Sequence, residues 1–438
     1  VSCSPGAEGR AYAHRHARWN FAVLLADACA FMGGVAFFDG STVYPVLLAR
    51  LGAGDALIGF TRLVQTLGYT LPALVGSHYI HGMRYHKPYL LWTCAIGRVL
   101  LLTLPPALLL GGLHPSPLIL VWVVASTGLF WLLDGACAVS WFDIVAKCIY
   151  ERVRGRFFGV MQSIGGLFAI GAGLLVQAIL APRGLPYPAN FALLAALWCV
   201  GALLSQLFLA MIREPAGDVD EEAGKPGLAQ YLRQIGPLFR TYPRLRRLVA
   251  ARVLLDGAYM AAPFYVLFAQ RSLHADLRTV GLYTMLLSAG RLAAGPFWGW
   301  LADRIGPGFA VRWVAVAVVA APLAALGAAY GLPWLMPAVF VLMGATGDGL
   351  WMVLSTALLE SVEARDRPLA IGVATMCQTP SAVYGPIGGL LTQSTSYPTV
   401  FALSAVAGLV GSVAAWRIGA NQLAVAHTAQ ETEPAAAN

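Results

Sequence analysis

The chain has 438 residues, of which 58% are apolar and only 11% charged. Soluble domains carry about 25% charged residues, so this composition excludes an ordinary soluble domain and belongs in a bilayer. The basic excess, 29 Lys and Arg against 21 Asp and Glu, is distributed as membrane orientation requires and gives no support to nucleic-acid binding.

Residues 1–19 are polar, with Arg10, Arg15 and Arg18, and are expected to form a cytoplasmic N-terminal segment. The apolar run that follows is too long for a signal-peptide core, so it reads as a retained first helix. Apolar windows of about 20 residues place spans near 20–48, 56–80, 88–111, 117–146, 157–181 and 190–212. A second set falls near 247–271, 279–301, 312–330, 334–360, 368–394 and 398–418. Residues 20–212 thus form an N-terminal six-helix bundle and 247–418 a C-terminal one, joined by a linker at 213–246. Part of that linker, Tyr231 to Arg240, is amphipathic and suits the membrane surface. The tail, 419–438, is expected to be disordered and cytoplasmic.

Orientation follows from Lys and Arg. With the N-terminus cytoplasmic, inside segments hold 21 of the 29 and outside segments only Arg50, Arg183, Arg271 and Arg278. Both termini are therefore expected on the cytoplasmic side of the cell (inner or plasma) membrane.

The two halves are diverged copies. Tyr44 to Arg50 and Asp55 align with Tyr265 to Arg271 and Asp276 at one offset, and Arg154-Gly-Arg156 is echoed by Arg365-Asp-Arg367. Between the eighth and ninth spans stands Gly299-Trp-Leu-Ala-Asp303-Arg304-Ile-Gly306, with Arg312 beyond it. This stretch resembles the signature loop of the major facilitator superfamily, Gly-x-Leu-Ala-Asp-Arg-x-Gly. The resemblance implies an all-α integral membrane fold, twelve transmembrane helices in two pseudo-symmetric six-helix bundles, and transport by alternating access. Asp303 is expected to gate the cytoplasmic side against a facing helix N-terminus or arginine. The first-half copy, Gly76 to Lys87, has no acid where Asp303 stands, and the fourth-span arginine that the family often links to proton coupling is missing. Gly385-Pro-Ile-Gly-Gly389 resembles the family's antiporter motif but lies in the eleventh span, where close packing explains it equally well.

Ionisable residues inside spans default to function. Asp27 and Asp256 lie about 10 and 13 Å from the inner boundary, Asp134 and Asp348 roughly 5 and 9 Å. These four acids, on spans one, four, seven and ten, are expected to share the central cavity that those helices line in the family. Arg98 is the expected partner of Asp134, and Arg291 of Asp348, leaving two carboxylates in surplus; Asp256 can instead pair with Arg252. Asp39 is expected near the outer end as a cap or gate, and Asp143 has Lys147 one turn on. Trp131, Trp141, Tyr259 and Trp351 are candidate lining residues.

His78, His81 and His86, with His14 and His16, lack a neighbouring Cys or acid in sequence and read as a solvated loop, so no metal site is assigned. The seven cysteines read as small buried hydrophobes. No nucleotide-binding loop or hydrolase motif occurs, so no cofactor is assigned and an enzyme has no sequence support. The expected function is gradient-driven transport of a small organic solute by a monomer, coupled to H⁺, with Na⁺ the other candidate ion. The alternatives are an exporter of amphiphilic or drug-like compounds and a non-transporting solute sensor of the same fold.

Overall fold

The computed structural model describes residues 7–80, 83–111, 116–217, 236–363 and 379–431, and every regular element among them is helical. In the first half, α1 (Ala7–Ala36) and α2 (Val43–Arg50) build one broken span, followed by α3 (Asp55–Ile80). The third span is α4 (Lys87–Leu102) with α5 (Leu104–Gly111); then come α6 (Pro117–Cys148), α7 (Glu151–Ile179) and α8 (Ala189–Met211). The second half opens on α9 (Pro243–Asp256), a 3₁₀ turn at Gly257–Ala261 and α10 (Ala262–Arg271). It continues with α11 (Arg278–Ile305), then α12 (Pro307–Val318) and α13 (Ala320–Ala329). The last elements are α14 (Met336–Glu360), α15 (Tyr384–Ser394) and α16 (Tyr397–Glu431).

Nine helical runs among the described residues are long and apolar enough to cross a membrane. α3 and α11 are not among them, although each has the length. Both carry charges that a lipid-facing helix would avoid, and both pack on the opposite half, α3 against α15 and α11 against α7. That placement explains their polarity.

Glycine makes these contacts possible. A Cβ on Gly59 would strike the carbonyl oxygen of Gly385, and one on Gly281 would strike the backbone nitrogen of Gln177. Gly389 lies equally close to the backbone of Asp55. The Gly385–Gly389 stretch is thus packing surface between the halves. All these contacts lie toward the end of the bundle opposite the termini, called the far end below.

The core has the same shape. One hydrophobic cluster joins both halves toward the far end, from Val43 and Leu47 through Tyr265, Val280 and Phe340. Toward the terminal end it divides into two, one around Leu248, Val314 and Leu354 and the other around Val23, Ile144 and Phe157. Among the described residues, the hydrophobic clusters join the halves at the far end and stay separate at the other.

Several sequence expectations are corrected. The polar N-terminal segment belongs to α1 from Ala7 onward, and alanine-rich residues 419–431, expected to be disordered, continue α16. The first span breaks at residues 37–42, where Asp39 accepts from the Ser41 N–H at 2.8 Å. The signature loop is mostly helix: α11 runs to Ile305, Gly306 turns the chain at φ 101°, and Pro307 starts α12. Arg365, Arg367, His81 and residues 218–235 of the linker lie outside the described residues.

Candidate functional site

The four acids do not share one cavity. Asp27 and Asp134 line a space of about 190 Å³ within the first half, whereas Asp348 lines a separate one of about 150 Å³ between the halves, together with Asp39 and Arg291. Asp256 lines neither: Arg252 donates to one of its oxygens at 2.8 Å and Ser381 to the other at 2.9 Å. Equal depth along a helix did not imply a common facing, because rotation about each helix axis is independent of depth.

The first cavity is built by close helix approach. Gly201 of α8 packs on Gly34 of α1, and a Cβ on Gly135 of α6 would strike the Tyr69 carbonyl of α3. Asp27 is thereby brought to Ser205, whose hydroxyl donates to Oδ1 at 2.5 Å, while the Trp141 indole N–H donates to Oδ2 at 2.8 Å. Arg98 donates through Nη2 to the same Ser205 oxygen at 2.7 Å. Expected to pair with Asp134, Arg98 instead meets Asp27 through a hydroxyl. Asp134 has no hydrogen bond or ion pair to a described residue. With both ionised, two carboxylates against one guanidinium would leave one negative charge in surplus.

In the second cavity Arg291 pairs with Asp39 at 3.2 Å, not with Asp348, because Asp39 sits in the break between α1 and α2 that faces α11. Gln162 of α7 donates to Asp348 at 3.1 Å. Of the aromatic candidates, Trp141 lines the first cavity, and Trp131, Tyr259 and Trp351 line neither of the two. Tyr259 donates to Thr346 at 3.0 Å, Trp131 packs on the core against Phe130, and Trp351 is exposed.

A lock at the far end was not anticipated as such. Arg271 of α10 donates to Asp55 of α3 at 2.7 Å and to the Tyr397 hydroxyl at 2.7 Å, and Tyr397 donates to the other Asp55 oxygen at 3.2 Å. Thr42 and Thr284 add a hydroxyl contact of 2.7 Å between the halves. At the terminal end, Asp303 is exposed and makes no ion pair with a described residue, Arg304 lies over Trp300, and Arg312 over Trp416. In this state the signature loop supplies no lock among the described residues.

The first half, lacking the signature acid, has another charge cluster at that end. Lys147 bridges Asp143 at 2.9 Å and Glu214 at 3.2 Å, and Asp143 also meets His86 at 2.7 Å. Glu214 accepts the N–H groups of His86 and Lys87 at 2.8 Å each, capping α4, and Lys87 caps α8 at the carbonyls of Ala210 and Ile212. His86 is therefore buried, not part of a solvated loop. Removing one partner of a buried pair costs about 3–5 kcal/mol because the other charge is left uncompensated. Lys147→Met is expected to melt far earlier in a thermal-unfolding assay, while Asp303→Asn, at an exposed site, melts as the parent does.

A sequence profile of the Major Facilitator Superfamily matches residues 248–436. The match covers the second half of the chain. Solved structures extend the likeness in fold across both halves. The nucleoside transporter NupG matches at TM-score 0.67 and 15% identity, over 92% of this chain and 99% of that one. A bacterial homologue of the iron transporter ferroportin, in its inward-facing state, matches at 0.69 and 15%, over 91% and 98%. Its outward-facing form scores 0.59. A D-xylose–proton symporter matches at 0.65 and 15%, over 92% and 96%. The chain has the fold of these multi-pass membrane proteins.

Proposed function

We propose that this transporter is secondary active and proton-coupled, and carries a small organic solute by alternating access. The observation that carries the reading is Asp134: a carboxylate in a membrane-embedded cavity, with no hydrogen bond or ion pair to a described residue, that needs a proton or a cation. Asp27 already has two donors and a nearby guanidinium, so Asp134 is the group left to load. A hard cation asks for several oxygen ligands. The side-chain oxygens lining this cavity are those of Asp27, Asp134, Ser205 and Tyr69, and those of Asp27 and Ser205 are engaged. That favours H⁺ over Na⁺. The volume of about 190 Å³ is below the roughly 300–1,000 Å³ of drug-sized sites, which weighs against an exporter of drug-like compounds.

Both termini are assigned to the cytoplasm from the charge asymmetry, so the far end is external and the seated halves represent a state open inward. The higher score against the inward-facing ferroportin homologue accords with this. Cysteines introduced at Gly236 and His114 test the topology: a membrane-impermeant reagent added to intact cells should reach position 114 only, and the reverse pattern would overturn it. A solute panel screened by thermal shift, followed by counterflow in proteoliposomes with and without a pH gradient, tests transport and coupling. Accumulation driven by sodium but not by protons would replace H⁺ with Na⁺.

A further inference from the structure

Besides Asp134, the first cavity has a second unsatisfied group. Arg98 is 5% exposed and lines the cavity, and while Nη2 bonds Ser205, its Nη1 is buried with no hydrogen-bond partner among the described residues. A buried donor of a charged group left unpaired carries a desolvation penalty that a bound acceptor would relieve. Arg98 stands on α4 and Asp134 on α6, and the two line the same space without forming an ion pair. Phe31, Tyr69 and Trp141 line the same cavity.

We infer that the solute is a small zwitterion, its ammonium group held at Asp134 and its carboxylate at Nη1 of Arg98. The inference rests on the transport reading and names the substrate class of the same cavity. A purely cationic solute would leave the guanidinium donor unmatched, and a purely anionic one would leave Asp134 so. A molecule with both charges answers both.

The test uses the full-length protein and three matched sets: glycine, leucine and phenylalanine, each with the amine that lacks its carboxylate and the acid that lacks its ammonium. Binding is read by thermal shift and transport by counterflow in proteoliposomes. At least one zwitterion should bind and exchange, with its amine and acid each weaker by tenfold or more. Arg98→Gln should then bring the amine level with the zwitterion, and Asp134→Asn the acid. A merely structural role would weaken all three probes alike. If Arg98→Gln elutes aggregated, Asp134→Asn decides alone: the acid must come level with the zwitterion, and an acid that stays tenfold weaker overturns the assignment. If an amine or an acid exchanges as well as its zwitterion, transport stands and the zwitterion assignment is overturned. If no zwitterion shifts melting or exchanges, the assignment is likewise overturned. The transport reading is then judged separately, by whether reporter cysteines in the cavity change accessibility from one side to the other.

Discussion

Asp134→Asn is expected to abolish pH-driven accumulation while counterflow at saturating solute survives. A one-unit pH gradient is worth about 1.4 kcal/mol per proton, so one coupled proton supports about tenfold accumulation. The variant should bring that ratio to one. The prediction is selective. Asp256 has both oxygens bonded by Arg252 and Ser381, and Asp348 is held by Gln162 in a region that also contains Arg291. Asp256→Asn and Asp348→Asn should therefore retain accumulation. Asp27→Asn keeps an oxygen for the Trp141 N–H but removes the charge that answers Arg98 through Ser205, so a lower melting temperature should accompany any transport loss there. Full accumulation by the Asp134 variant would remove the coupling assignment. Equal loss in all four variants would mean that the acids act as a set despite lying apart.

The twelve spans were legible because apolar windows of bilayer length are a strong signal, and the charges inside them stood out against it. Which acid meets which arginine was not legible. The expected Arg98–Asp134 pair was displaced by Ser205, one of several hydroxyl residues in apolar surroundings that nothing in its sequence neighbourhood marks out. Arg291 was assigned to Asp348 on depth, but the chain break at residues 37–42 brings Asp39 closer, and a break of that kind hides within a continuous apolar run. In sequence Trp351 reads as a lining aromatic, yet its side of α14 is exposed. The internal repeat did single out Asp55 and Arg271. It aligned them as members of two copies and could not show that the first-half acid would meet the second-half arginine across the interface. His86 read as solvated because its buried partners, Asp143 and Glu214, lie far away in sequence.

Wedging the far end apart should expose the path between the halves from outside. At Gly59 any side chain meets the Gly385 carbonyl, and at Gly281 the backbone of Gln177, so neither neighbour can yield by changing rotamer. Overpacking of this kind costs about 1–3 kcal/mol, and here the cost falls only on the state in which the halves are seated. Gly59→Leu and Gly281→Leu should therefore shift the equilibrium toward the outward-open state by about tenfold to a hundredfold. A reporter cysteine at Ser288, buried behind the seam and lining the second cavity, should be labelled from outside correspondingly faster. The charge lock contributes less, because the Arg271 side chain is 43% exposed and solvent screens it. Arg271→Ala should raise labelling by about fivefold, on the order of 1 kcal/mol. The reversed pair, Asp55→Arg with Arg271→Asp, should recover part of the closure that each single change loses. Rescue by reversal separates a lock from a merely tolerated contact. If the wedges leave Ser288→Cys labelling at the parental rate while the protein stays folded, the far end is not the outer gate and the inward-open assignment fails with it.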